Sequence, residues 1–93
     1  MKSRTEILDE AKRIVSGERD EQYGNPERSF LCIARLWSAY AGRTFTERDV
    51  AAMMALLKIA RIASGKENID NWVDLAGYAA CGGEIDTLGS EGK

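Results

Sequence analysis

The sequence contains no histidine and only two cysteines, Cys32 and Cys81, which lie far apart without a CxxC pair. The usual zinc sites draw on clustered Cys and His side chains, so they are excluded. Both cysteines sit in apolar helical stretches, where free buried thiols are the expectation and a disulfide the alternative. The lack of histidine also removes any Ser, His and Asp set. Glycine-rich loops of the GxxxxGK[ST] or GxGxxG form, which cradle phosphates, are missing too. No apolar run is long and uncharged enough to span a bilayer. The opening MKSRTEILDE turns polar and periodic at once, so no signal peptide is expected. One proline, few β-branched residues and no sustained period-two alternation leave no strand signal.

An excess of either charge is absent as well. The net charge is −2, with 13 basic and 15 acidic residues interspersed. That balance offers no electrostatic footprint for a phosphate backbone, and nucleic acid is not an expected partner. A helix-turn-helix reading is further weakened by a third helix too apolar to lie in a groove. Apolar residues make up 44% and charged residues 30%, ordinary values for a globular chain. Ninety-three residues support one domain with a modest core, here residues 1–93 with a polar tail from about residue 86. A soluble cytoplasmic protein is expected, with no membrane partner.

Helical patterns fill the chain. Ser3-Arg4-Thr5-Glu6 is a capping-box pattern, followed by Ile7, Leu8, Ala11, Ile14 and Val15 on one stripe and a stop at Gly17. After the charged connector ERDEQYG, Asn25 and Pro26 suit a cap and a first helical position. Phe30, Ile33, Ala34 and Trp37 then recur at helical spacing up to Gly42. Thr46-Glu47-Arg48-Asp49 caps a third helix, VAAMMALLKIARIA, that ends at Ser64-Gly65. That helix is apolar nearly all round, and in so short a chain its enclosure calls for a partner chain. A fourth helix is expected from about Asn68 through Ala80, with Gly82-Gly83 breaking or kinking it. The fold class is therefore all-α: a compact bundle of about four helices, expected to be a homo-oligomer.

Lys58 and Arg61 stand three apart on one side of the third helix, the only charges in an apolar stretch. Each must reach water or meet an anion. On the fourth helix Asp70 and Asp74 are one turn apart and face the same way, with Gly77 and Cys81 continuing the stripe. One reading is a structural Lys/Arg to Asp network, or Lys58 snorkelling to solvent. The other is a metal and phosphate site. Glu67, Asp70 and Asp74 would offer oxygen ligands to Mg²⁺, which needs only one or two protein carboxylates beside waters and phosphates. Lys58 and Arg61 would then neutralise the phosphates, and hydrolysis by a metal-bound water would need neither histidine nor cysteine. Tyr23, in Tyr23-Gly24-Asn25-Pro26, either stacks on a base or covers the edge of the bundle. Trp37 and Trp72 are expected in the core or at an interface.

The order YGNP, LW, ALLKIARIASG and DNWVDLAGYAACGG resembles a family of small, mostly phage and prophage proteins of unknown function, over roughly residues 5 to 85. Its specific parts are Tyr23-Gly24 and the run from Asp70-Asn71-Trp72 through Asp74 to Tyr78. More distantly, the YG segment, the Lys58 and Arg61 pair and the final helix are similar to a phage nucleotide-modification-associated domain. That domain in turn resembles the all-α nucleotide pyrophosphohydrolases of the MazG and dimeric dUTPase type. The resemblance implies a helical oligomer that binds a nucleoside triphosphate through Mg²⁺ and cleaves between its α and β phosphates. Glu67, Asp70 and Asp74 would correspond to the later acidic motif, ExxD. Asp70 and Asp74 would be catalytic, and Lys58, Arg61, Tyr23 and Asn71 would bind the nucleotide. The earlier motif, EExxE, is not cleanly matched: Glu6, Asp9 and Glu10, or Asp20 and Glu21, are the candidates for it ahead of the third helix. The alternative is a non-catalytic oligomeric helical module that binds a host protein or sequesters a signalling nucleotide.

Overall fold

Three of the described helices begin where a side chain takes up an orphan N–H group. In the computed structural model, which describes residues 1–18 and 26–88, helix α1 covers Arg4–Arg13. Its capping box is closed: the Glu6 N–H donates to Ser3 Oγ at 3.1 Å and the Ser3 N–H to Glu6 Oε1 at 3.4 Å. A π-helical turn, Ile14–Glu18, carries the chain past the expected stop at Gly17. Helix α2 is Pro26–Ala41. It ends at Gly42, whose φ of 71° is the left-handed conformation that glycine adopts without steric cost. Asn25, the expected cap, lies outside the described residues, as does Tyr23.

Helix α3, Glu47–Ser64, starts on a second closed box. There the Asp49 N–H donates to Thr46 Oγ1 at 3.1 Å and the Thr46 N–H to Asp49 Oδ2 at 2.9 Å. Helix α4, Ile69–Thr87, starts on Asn68, whose Oδ1 accepts from the Asp70 N–H at 2.9 Å. It passes straight through Gly82 and Gly83, where the sequence suggested a break. The reason lies in packing: a Cβ built on Gly82 would stand 3.1 Å from the Ala51 Cβ, so the glycine lets α3 approach. Gly77 does the same for the π-helical turn after α1, with Val15 Cγ1 3.2 Å from the position of its missing Cβ. No strand occurs among the described residues, and the all-α bundle stands.

The core is small. Phe30 and Ala34 from α2 meet Val50 and Ala51 from α3, with Ile33, Trp37, Phe45, Met54, Tyr78, Cys81 and Ile85 packed around them. Phe30 faces Tyr78 with ring centroids 6.3 Å apart, which ties α2 to α4. The α2–α3 turn is held by Ser38, whose hydroxyl accepts from the Phe45 N–H at 2.8 Å and donates to the Ala34 carbonyl at 2.7 Å. Both cysteines are free, but Cys32 is exposed rather than buried because it lies on the outer side of α2. Trp37 joins the core, edge-on to Phe45, whereas Trp72 is half exposed.

Gly82→Leu is expected to push α3 from α4 and lower stability by about 1–3 kcal/mol, about 5–20 °C in Tm. Gly83→Ala, which meets nothing within 4 Å, should raise it by about 0.5–1 kcal/mol. Thermal melts followed by circular dichroism read both.

Candidate functional site at the α3–α4 seam

Three contacts fix how α3 and α4 lie together. Arg48 Nε is 3.2 Å from Asp86 Oδ1, Ala51 opposes Gly82, and Lys58 Nζ is 3.0 Å from Asp74 Oδ2. Position rises along α3 as it falls along α4, so the pair is antiparallel. Continuing the same register by one turn brings Arg61 level with Asn71. Lys58, Arg61, Asn71 and Asp74 thus gather at one end of the seam, although they come from two helices joined by a connector.

The two ends differ in depth. The Arg48–Asp86 pair is solvated, with side chains 72% and 52% exposed, and contributes little to stability. The Lys58–Asp74 pair is enclosed, at 11% and 18%. Lys58 and Asn71 are also the buried polar residues of the described chain. Burial of a lysine is costly unless its ammonium is paired, and Asp74 supplies that partner. Asn71 stands one turn before Asp74 on the same face of α4, and its amide makes no hydrogen bond to another described residue. Among the described residues no fully buried side-chain nitrogen or oxygen is left without a partner, so the Asn71 side-chain amide keeps access to the surface.

The other expected site residues are distributed differently. Arg61 and Asp70 are exposed at the rim of the seam, and Glu67 is exposed in the non-helical connector ahead of α4. Glu67, Asp70 and Asp74 do not come together: no three Cys, Asp or Glu side chains among the described residues are grouped to hold a metal. The reason is local. Asp74 turns into the seam towards Lys58, Asp70 sits in the first turn facing water, and Glu67 precedes the helix. A resident three-carboxylate cage does not fit, while one or two carboxylates meeting a cation already bound to phosphates remain compatible with the geometry. On α1, Glu6, Asp9 and Glu10 form no acidic group either. Glu10 Oε1 pairs with Arg13 Nη2 at 2.6 Å, and that hydrogen bond with the guanidinium holds the Glu10 carboxyl below its ordinary value. Asp20 and Glu21 lie outside the described residues.

Arg48 and Asp86 were not singled out from the sequence. Their signal was only opposite charge at matching ends of adjacent helices. Nor does any helix among the described residues run long and apolar enough to cross a membrane.

Comparison with known proteins agrees with a phage origin for this pattern. The chain is 44% identical over 75 residues to the Gene 55 protein of Mycobacterium phage D29, which covers 81% of the chain and 50% of that relative. It is 47% identical over 74 residues to the Gene 55 protein of Mycobacterium phage L5, covering 78% of the chain and 47% of the relative. The chain spans about half the length of the curated relatives it matches. No solved structure matches. A family model described as a domain of unknown function, DUF6378, matches residues 6–86, helices α1 to α4 almost entire, and the chain belongs to that family.

Proposed function

We propose that this domain handles a nucleotide at the polar end of the α3–α4 seam. The observation that carries the reading is the concentration of buried polar side chains there: Lys58, Asn71 and the nearly enclosed Asp74. The exposed Arg61 and Asp70 rim them. A small core rarely spends its few enclosed positions on such a group when apolar residues would stabilise it as well. The distant resemblance of the YG segment, the Lys58 and Arg61 pair and the final D-x-x-x-D-L-x-x-Y helix to a phage nucleotide-modification-associated domain is consistent with the same ligand class.

The chemistry follows from charge. In the free protein Lys58 and Asp74 neutralise one another. A nucleoside triphosphate with Mg²⁺ on its phosphates carries both complementary charges. Lys58 would turn to a phosphate, with Arg61 as a planar fork beside it. Asp74 and Asp70 would then face the nucleotide-borne cation, and the Asn71 amide would contact the sugar or base. Attack of water on the α phosphorus would give a nucleoside monophosphate and pyrophosphate. A purely structural role for the pair is the second reading, favoured by its 3.0 Å closure at low exposure.

Two experiments separate these readings. A panel of nucleoside and deoxynucleoside triphosphates with Mg²⁺, assayed for binding and for pyrophosphate, should give one or a few ligands whose affinity falls at least about 10-fold in Arg61→Ala. A panel without binding would contradict the proposal. Separately, Asp74→Ala strands the buried ammonium and should cost about 3 kcal/mol, whereas the apolar pair Lys58→Met with Asp74→Leu should recover most of that loss. The recovered double variant should still fail to bind nucleotide. Binding that survives in it would leave the pair a structural role alone.

A further inference from the structure

Asn71 is enclosed, at 8% exposure, yet its side-chain amide makes no hydrogen bond to another described residue. The amide is aimed into the seam. Asn71, Asp74 and Tyr78 stand at i, i+3 and i+7 on α4; Asp74 meets Lys58 of α3, and Tyr78 packs on the core that α2 and α3 share. An enclosed amide without a protein partner gives up hydrogen bonds that it makes in water, whereas an apolar side chain of similar shape would cost the fold nothing there. Folding alone gives no reason for an amide at this position.

We infer that Asn71 is a specificity-determining residue that hydrogen-bonds the sugar 3′-hydroxyl of the bound nucleotide, which rests on the nucleotide reading of the seam. Distance selects the sugar. The Lys58 ammonium lies against Asp74, and side chains at i and i+3 of a helix stand about 5–6 Å apart at Cβ. With the α phosphate held on Lys58, the Asn71 amide is therefore one turn away, within reach of the sugar and short of the far edge of the base. The 3′-hydroxyl is the ring substituent on the phosphate side of the sugar. Chemistry agrees with distance. A side-chain amide carries a donor and an acceptor, and a hydroxyl is both at once, so the two close with either one donating. Being uncharged, Asn71 leaves the cation to Asp74 and the phosphates to Lys58 and Arg61.

Equilibrium binding of the full chain to deoxynucleoside triphosphates and to their 2′,3′-dideoxy counterparts, with Mg²⁺, isolates this contact, because each pair differs only in the 3′-hydroxyl. The wild type should bind the dideoxy form about 10-fold more weakly than its parent. In Asn71→Leu the two forms should bind within about 2-fold of each other, both at the level of the wild type with the dideoxy form. That variant, similar in shape and rid of the unpaired amide, should melt no lower than the wild type. If it does not fold, the wild-type comparison carries the test alone. Equal wild-type affinity for the two forms, or a hydroxyl preference that survives in folded Asn71→Leu, overturns the role of Asn71 and leaves the nucleotide reading standing. Absence of binding to every deoxynucleotide also overturns it, and ribonucleotides equally without binding would remove the nucleotide reading as well.

Discussion

A lysine ammonium held 3.0 Å from an aspartate oxygen inside the seam of two helices sets both the register and the depth at which those helices pack. Neither charge tolerates burial alone, so a slip along the seam would strand one of them at a cost of several kcal/mol. The rest of the molecule conforms to that register. Gly82 opposes Ala51 because a larger residue would force the helices apart, and Arg48 and Asp86 close the far end in solvent, where a pair adds little. The π-helical turn after α1 then meets α4 at Gly77, and α2 completes the core through Phe30 and Tyr78.

Much of this was legible in the sequence wherever the signal is local. The capping boxes at Ser3 and Thr46 fall where side-chain hydrogen bonds require them, and α3 stops at Gly65, whose backbone N–H donates to the Arg61 carbonyl. Less legible was the fate of Gly82 and Gly83, because glycine weakens a helix in isolation yet permits close approach in a packed one. The sequence also put Glu67, Asp70 and Asp74 within two turns, and helical spacing alone gave Asp70 and Asp74 one direction, whereas Asp70 is exposed and Asp74 is enclosed. Only packing decides that Asp74 faces Lys58 while its neighbours face water. Proximity along a chain is a poor guide to a ligand set when one member is claimed by a residue of another helix.

The character of α3 links the candidate site to the outer surface. Its inner side carries the one charge that the fold must neutralise, and its outer side is as apolar as a core. A helix with no polar face was expected to be enclosed on several sides, yet a single chain covers only one of them.

The central claim is that the polar end of the α3–α4 seam receives a nucleotide. An NMR titration of uniformly ¹⁵N-labelled protein with Mg²⁺ and a nucleoside triphosphate tests it most directly. Saturable shifts of the Asn71 side-chain amide and of the backbone amides around Lys58 and Asp74, with Glu10 and Arg13 on α1 unmoved, are the expected result. Spectra that do not change, or shifts confined to residues away from the seam, would contradict it.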